Sequence, residues 1–212
     1  MAPLVHPPSR LLAYDGSGLD GGLYTRVLGW AEAAPSWLDQ AIRIWSALGL
    51  AVFAVLMVAG WWKARSADSV VMARVLASPL IVVAAYVANS ALKGVVEEVR
   101  PCRQLAVGAT LEACPGAGDW SFPSNHTVIA FAAATALWFA DRRLGWIAGL
   151  AAVLMGASRV WVGVHYPHDV AVGALVGVLV AIPLALLAGR AAPLVDRLRA
   201  SRLAPVLGTR LG

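Results

Sequence analysis

Long stretches of apolar residues alternate with short polar segments along this chain. Four stretches approach or reach the ~20 residues that a membrane-spanning helix needs. They cover residues 41–62, 70–92, 144–162 and 169–187. A fifth, residues 127–140, is shorter, but a helix that starts at Ser124 would reach ~25 Å at 1.5 Å per residue, and bilayer thinning would cover the rest. The pattern predicts an all-α fold, a polytopic transmembrane bundle with five spans.

The two ends of the chain differ from this apolar centre. Residues 23–37 mix aromatic residues such as Trp30 with charged residues such as Arg26, which is typical of a helix that lies in the membrane interface. A sixth, weakly hydrophobic span is the alternative. The loops between the spans are too short to hold a second domain. We therefore expect an N-terminal interfacial segment (1–40), a transmembrane domain (41–189) and a basic cytoplasmic tail (190–212).

The composition supports a membrane protein. The 212 residues are 59% hydrophobic and 14% charged, with a mean hydropathy of +0.71, whereas soluble domains are about half apolar and a quarter charged. A sequence pI of about 9.8 would also suit nucleic acid, but the basic residues divide between two ends of the predicted bundle instead of forming one stripe. We expect anionic lipid at the basic cytoplasmic rim and no nucleic-acid partner.

The basic residues also predict an orientation. With five spans, nine basic residues outside the candidate site fall on one side of the membrane: Lys63, Arg65, Arg142, Arg143, Arg190, Arg197, Arg199, Arg202 and Arg210. Loops rich in lysine and arginine are usually cytoplasmic. The opposite side receives the end of the second span, the loop of residues 100–125 and the turn at His165. We expect a multi-pass protein of the cell membrane whose polar clusters face the extracytoplasmic side.

The first polar cluster on that side contains Lys93 and Arg100, with Pro101 after them. Two helical turns separate the cations, so a continuous helix would place them on one face, with Glu97 between them to hold either one. Two cations on one face suit a phosphate. The alternative is that both merely extend from a helix end toward the interface. We expect Arg103 to be a loop cation and not a ligand.

The chain contains two cysteines, Cys102 and Cys114, in the same outward loop. An oxidising compartment would permit a disulfide between them, and two separate thiols are the alternative. Their spacing resembles no metal site.

The second cluster, Ser124, Asn125 and His126, opens the fifth apolar stretch. Ser124 suits a helix N-cap, and the backbone N–H groups after it would bind an anion. His126 would lie in the first turn, near enough to donate a proton to an oxygen that leaves this anion. The alternative for His126 is a polar residue of the interface.

The third cluster combines Arg159 with His165 and Asp169. If Pro167 occupies the first helical turn, Asp169 lies four residues after His165 and within reach of its ring. A carboxylate on one imidazole nitrogen leaves the other nitrogen free to attack. His168 would be on a different face, and we expect it to be a solvated turn residue. Dipole stabilisation by Asp169 and snorkelling by Arg159 are the simpler alternatives.

Taken together, these residues resemble the three motifs of the type 2 phosphatidic-acid phosphatase superfamily. The matching residues are Lys93, Arg100-Pro101, Pro123-Ser124-Asn125-His126, Ser158-Arg159, His165 and Asp169. The resemblance implies a lipid-phosphate phosphatase that needs no metal or other cofactor and forms a phosphohistidine intermediate. In one departure, Asn125 stands where the family commonly has glycine.

The same resemblance implies roles for the catalytic residues. His165 would be the nucleophile, Asp169 would orient it, and His126 would be the general acid. The phosphate would be bound by Lys93, Arg100, Ser124, Asn125 and Arg159.

The motif strings are most similar to those of bacterial polyprenyl-diphosphate phosphatases of the bacitracin-resistance type, which implies recycling of the cell-wall lipid carrier. A phosphatidylglycerophosphate or phosphatidate phosphatase is the alternative with the same chemistry. Two other classes stay open: a non-catalytic membrane scaffold, and an enzyme like the vanadium haloperoxidases that would hold vanadate in the same pocket.

Overall fold

The computed structural model describes residues 14–105 and 110–208. Residues 1–13 of the expected N-terminal segment and Arg210 of the expected rim lie outside the described residues. The described chain is helical, with no strand in these two ranges. Its α-helices are α1 (Ser17–Glu32), α2 (Ser36–Leu48), α3 (Leu50–Ala64), α4 (Ser69–Val96), α5 (Pro101–Gln104), α6 (Asn125–Ala140), α7 (Arg142–Trp161), α8 (Pro167–Ala188), α9 (Ala192–Arg199) and α10 (Ala204–Leu207).

Three helical segments are long and apolar enough to cross a membrane: Ser69–Gln104, Arg142–Trp161 and Pro167–Arg199. The α2–α3 pair passes the same test as a bent unit, and α6 is a shorter apolar helix. The described residues therefore form a helical bundle with three candidate spans, or up to four if the bent pair counts as one. The prediction of five spans stays a prediction, and α1 is not among the candidate spans.

The sequence predicted one continuous span over residues 41–62, but the structure bends this stretch by 55° between α2 and α3. The bend lies at Gly49. A Cβ atom there would be 2.5 Å from the carbonyl oxygen of Trp45 and 2.7 Å from Cε of Met155. Glycine therefore permits α7 to approach the bend, and apolar content alone does not reveal such a bend.

Helix α6 lies at the centre of the bundle, where it packs against α4, α7 and α8. Its buried residues are mostly small: Ala130, Ala132, Ala133, Ala134 and Ala136. Small side chains let helix backbones approach closely in a membrane. Gly177 of α8 has the same effect, because a Cβ atom there would lie 2.7 Å from the carbonyl oxygen of Val128.

Large apolar side chains cover the outer faces of the bundle. Leu48, Leu80 and Leu150 are 67%, 70% and 66% exposed, respectively. Soluble monomers rarely expose large continuous apolar patches. These faces therefore suit contact with lipid and support a membrane location.

The two ends of the bundle can be recognised from contacts between helix termini. Lys63 of α3 is hydrogen-bonded to Asp141, which precedes α7, so these residues lie at one end. At the other end, the backbone N–H of Ser124 donates to the carbonyl oxygen of Asp169 at 3.1 Å. The three motif clusters lie at this second end, which we call the site end, and we call the other the rim end.

Arg199 at the rim end corrects one prediction. The sequence placed it on a basic surface beside anionic lipid, but its side chain is buried. The guanidinium donates to the carbonyl oxygens of Ala64, Ala67 and Leu207. Arg199 therefore ties α9 to the end of α3, because these carbonyl groups at a helix end need donors.

Candidate active site

Lys93 and Arg100 lie close together, but not on one helix as the sequence predicted. Helix α4 ends at Val96, because Glu97 adopts a left-handed conformation with φ 49°. Arg100 follows in extended conformation as the N-cap of α5. The carboxylate that we expected from Glu97 is supplied instead by Asp119, which contacts both cations.

The Arg100 guanidinium is buried and hydrogen-bonded on several sides. Nε donates to the backbone oxygen of Asp119 at 2.8 Å, and Nη2 donates to its Oδ1 at 2.9 Å. Nη1 donates to the carbonyl oxygen of Val164 at 2.9 Å and lies 3.2 Å from Nε2 of His165. Arg100 thus connects the segment before α6, at Asp119, with the turn between α7 and α8.

Lys93 lies beside this arginine. Its Nζ donates to the carbonyl oxygen of Trp120 at 2.6 Å and lies 4.0 Å from Oδ1 of Asp119. Burial alone would raise the pKa of the Asp119 carboxyl, but the hydrogen bond from Arg100 and the charges of Arg100 and Lys93 lower it below its usual value. The side chain of Asp119 is 52% exposed, so an ionised, accessible carboxylate occupies the cationic pocket.

His165 and Asp169 form a buried pair. Nδ1 of the imidazole is 3.1 Å from Oδ2 of Asp169, which also accepts from the Tyr166 backbone N–H at 2.8 Å and from the Ser121 hydroxyl. Because the Arg100 guanidinium can only donate, the nitrogen that faces it, Nε2, must be the acceptor. The hydrogen-bond network therefore assigns the ring proton to Nδ1, which faces the carboxylate.

The environment of His165 also keeps the ring neutral. Burial lowers its pKa well below the usual 6.5, and the charges of Arg100, Arg159 and Lys93 lower it further. An uncharged imidazole with its Nε2 lone pair beside the Arg100 guanidinium is suited to attack an anionic phosphorus centre.

Ser124, Asn125 and His126 begin α6, as the sequence predicted. Ser124 is the N-cap, although its side chain does not cap the backbone; its Oγ accepts from Thr127 instead, at 3.0 Å. Asn125 Oδ1 accepts from Nδ2 of Asn89 at 2.7 Å, so its side chain is held against α4. The first N–H groups of a helix lack acceptors within it and can bind an anion.

Arg159 is buried, and its partners come from distant elements. Its Nη1 lies 3.1 Å from Oε2 of Glu112 in the segment before α6, and it also donates to the Ser46 hydroxyl of α2. Arg159, an expected phosphate ligand, is therefore already paired with the carboxylate of Glu112, just as Arg100 is paired with the carboxylate of Asp119.

His168 is not the solvated turn residue that the sequence predicted. Its side chain is only 15% exposed, and the ring stacks on Tyr166 with centroids 5.2 Å apart. Nδ1 lies 2.8 Å from Oδ1 of Asp20, and Nε2 lies 2.9 Å from Oε1 of Glu98. The prediction was wrong because these two carboxylates come from α1 and from the segment after α4, which no local pattern connects to His168.

A disulfide links Cys102 of α5 to Cys114 in the segment before α6, with the two Cα atoms 5.9 Å apart. Nε of Arg103 donates to the carbonyl oxygen of Pro115 at 3.1 Å, in agreement with the expected loop cation. The segment that carries Glu112 and Asp119 is therefore attached to α5 at Cys114 and Pro115, between these two carboxylates.

Six residues of this site were not singled out by the sequence: Asp20, Ser46, Glu98, Glu112, Asp119 and Ser121. They come from loops and distant helices and belong to no motif. The available signal was their polarity within a strongly apolar chain, which favours a functional role at a membrane boundary.

The chain is similar in sequence to a known family and to known proteins. The model of the PAP2 superfamily matches residues 74–192. Undecaprenyl-diphosphatase BcrC of Bacillus subtilis (strain 168) is 31% identical over 145 residues, which cover 68% of this chain and 72% of that protein. The bacitracin transport permease protein BcrC of Bacillus licheniformis is 47% identical over 64 residues, which are 30% of this chain and about a third (32%) of that protein.

A solved structure is also similar. The crystal structure of a PAP2-type phosphatidylglycerolphosphate phosphatase from Bacillus subtilis superposes with a TM-score of 0.58 and 25% sequence identity, over 77% of this chain and 83% of that one. The family match covers more than half of the 212 residues and includes every motif residue from Lys93 to Asp169. It confirms the resemblance inferred from the motifs. The chain therefore belongs to the PAP2 superfamily, the type 2 phosphatidic-acid phosphatases, and is a membrane phosphatase of that family.

Proposed function

We propose that this protein hydrolyses a phosphate from a polyprenyl diphosphate through a phosphohistidine on His165. The observation that carries the mechanism is the hydrogen bonding of His165: Nδ1 faces Asp169 at 3.1 Å and Nε2 faces Arg100 at 3.2 Å. This arrangement directs the lone pair of Nε2 toward the cationic pocket, where an anionic substrate would bind.

The reaction has two steps. Nε2 of His165 attacks the terminal phosphorus; a P–N bond forms, the P–O bond to the leaving group breaks, and His126 protonates the leaving oxygen. Water then attacks the phosphohistidine with His126 as the base, which breaks the P–N bond and releases inorganic phosphate. Asp169 stabilises the positive charge that develops on the ring of His165 in the first step.

The phosphate ligands are those implied by the motifs: Lys93, Arg100, Arg159, Ser124 and the backbone N–H of Asn125. Asp119 and Glu112 now bind the two arginines. A phosphate with two negative charges and several acceptor oxygens binds guanidinium more strongly than a carboxylate does. The substrate phosphate would therefore displace the carboxylates of Asp119 and Glu112, and its oxygens would bind the two arginines instead.

The substrate and the location follow from different observations. The polyprenyl substrate is supported by the similarity to undecaprenyl-diphosphatase BcrC over two thirds of this chain. Basic residues such as Lys63 and Arg143 at the rim end support a cytoplasmic position for that end. The site end would then face the extracytoplasmic side of the cell membrane.

One alternative substrate has support of its own. The similar structure from Bacillus subtilis is titled a phosphatidylglycerolphosphate phosphatase, and the same phosphate pocket would serve a glycerophospholipid. The choice between the two depends on recognition of the lipid tail.

The test is phosphate release by detergent-purified protein from a polyprenyl diphosphate, phosphatidylglycerophosphate and phosphatidate, with chelator present. We expect preferential release from the polyprenyl substrate, no release by His165→Ala, and full release by the control Lys63→Ala at the rim end. Preference for a glycerophospholipid would replace the proposed substrate. Release by His165→Ala at the rate of the unmodified protein would refute the mechanism.

A further inference from the structure

A second histidine–carboxylate cluster lies beside the proposed catalytic pair. Both ring nitrogens of His168 face carboxylate oxygens, those of Asp20 and Glu98, at 2.8 and 2.9 Å. The backbone N–H of His168 also donates to Oδ2 of Asp20 at 2.7 Å. An ionised carboxylate can only accept hydrogen bonds, so both ring nitrogens must donate. This geometry corresponds to an imidazolium cation.

The charge of this ring reaches Asp169. Nε2 of His168 is 3.7 Å from Oδ1 of Asp169. This oxygen has no hydrogen-bond partner among the described residues, and the side chain is completely buried. A buried carboxylate oxygen without a donor is unfavourable unless a positive charge lies nearby. Glu98 is completely buried as well, so His168 is the cation between two buried carboxylates.

We propose that His168 is a positioning residue for the phosphatase reaction: its imidazolium keeps Asp169 ionised, and Asp169 in turn holds the proton on Nδ1 of His165. This inference rests on the proposed function of His165. His168 acts through Asp169 and does not contact the substrate. Without its charge, the carboxylates of Glu98 and Asp169 would repel each other, and one would take up a proton.

The N-terminal helix is part of this arrangement. Asp20 has a non-helical conformation inside α1, with φ −146°. The segment before α1 is fixed to the segment after α4, because the backbone N–H of Val99 donates to the carbonyl oxygen of Tyr14 at 3.1 Å. Gly16 lies so close to Glu98 that a Cβ atom would be 1.9 Å from its Oε1. Residues outside the family match, 74–192, therefore hold the cation beside the catalytic carboxylate.

The first test uses His168→Gln, which keeps one hydrogen bond and removes the charge. We expect kcat to fall by about tenfold or more, as for other residues that orient a catalytic group, with little change in KM. The acidic limb of the kcat profile should move to higher pH, because Asp169 loses the neighbouring cation. Unchanged kcat and an unchanged pH profile would overturn the proposal.

The double variant Glu98→Gln/His168→Gln separates a charge effect from a structural one. If His168 neutralises two carboxylates, removing the second carboxylate should restore part of the lost kcat. A merely structural role predicts a double variant no more active than His168→Gln, and that result would also overturn the proposal. Glu32→Gln, an exposed position at the end of α1, is the matched control and should leave kcat unchanged.

A direct measurement does not depend on variant folding. Nitrogen-15 NMR of histidine-labelled protein in detergent should show one ring with both nitrogens protonated at neutral pH. Only neutral rings would contradict the proposal. Glu98, His168 and Asp169 could also hold a metal ion, so the spectra are compared with and without chelator. A chelator-dependent change would show that His168 is a metal ligand and not an imidazolium, and would overturn the proposal. If the unmodified protein releases no phosphate from any lipid, the proposed function fails, whereas activity with only neutral rings refutes this inference alone.

Discussion

Two buried arginines at opposite ends of the bundle differ in what their partners allow. At the rim end, Arg199 donates to carbonyl oxygens and to a serine hydroxyl. At the site end, Arg100 also donates to carbonyl oxygens, but it binds the half-exposed carboxylate of Asp119 and faces the imidazole of His165. Burial is nearly equal, with 5% exposure for Arg100 and 8% for Arg199. We therefore expect a buried cation to be functional when one of its partners can be exchanged for a ligand, and structural when its partners are backbone carbonyl groups and a buried hydroxyl.

The comparison predicts that changes at the site end lower turnover, whereas changes at the rim end lower stability. The largest effect should come from Asp169→Asn. It replaces the carboxylate by a neutral amide that can donate to Nδ1 of His165 and favour the wrong tautomer, so kcat should fall on the order of 10³-fold with little change in KM. Steady-state kinetics on the purified protein measure this. Asp141→Asn, the same change at the rim end, should leave kcat intact, and a mainly raised KM in Asp169→Asn would contradict the role of Asp169.

The next effect concerns the two arginines directly. Arg100→Lys keeps the charge but removes the planar set of donors, so kcat/KM should fall by about 10²-fold, as when one oxyanion donor is lost. Some stability should be lost as well, because Arg100 donates to the carbonyl oxygens of Asp119 and Val164, so kcat/KM is measured at a temperature where the variant is folded. Equal activity in Arg100→Lys and the unmodified protein would show that Arg100 is structural, like Arg199.

The disulfide should affect stability at the site end. It closes a loop of 12 residues in sequence separation, and loops of that size contribute roughly 3 kcal/mol. The double variant Cys102→Ser/Cys114→Ser should therefore unfold at lower temperature, and reductant should lower the Tm of the unmodified protein but not of the variant. An identical Tm with and without reductant would contradict this contribution.

Arg199→Lys is the matched change at the rim end. Loss of donors to buried carbonyl oxygens should lower the free energy of unfolding by about 1–3 kcal/mol. The kcat measured at a temperature where the variant is folded should equal that of the unmodified protein. A tenfold fall in kcat would show that the two arginines do not divide function and stability as proposed.

The smallest predicted effect is a displacement of a pH limb. Burial and the charges of Arg100, Arg159 and Lys93 lower the pKa of His165 below 6.5, so the attacking ring stays neutral as the pH falls through 6.5. The acidic limb of kcat/KM, corrected for titration of the substrate phosphate, should therefore lie below 6.5. Unfolded His165 binds a proton that the folded form does not, so stability should decline below pH 6.5. A limb centred at 6.5 or above would contradict this environment.

The sequence predicted which motif residues come together better than it predicted their surroundings. The apolar windows located α4, α6, α7 and α8. The motif spacing brought His165 and Asp169 together because His165 precedes the N-cap Tyr166 of α8 and Asp169, in the first turn, reaches back toward it. The bend at Gly49 depends on a close approach of α7, which apolar periodicity does not encode.

The environments of the polar residues could not be predicted from the sequence either. His168 and Arg199 were both expected to be exposed at the surface. Both side chains instead contact residues that are distant in the sequence or belong to other helices. Long-range contacts decide whether such a side chain is solvated, and a single sequence gives no information on them.

The central claim is that phosphate passes through His165. The direct test is to mix the unmodified protein with polyprenyl diphosphate labelled at its terminal phosphate and to quench in alkali within a single turnover, because His126→Ala would lose the acid of the first step as well as the base of the second. We predict label on the peptide that contains His165, stable in base and released in acid, and no label on His165→Ala. Phosphate release without protein-bound label at His165, or label on another residue, would contradict the account.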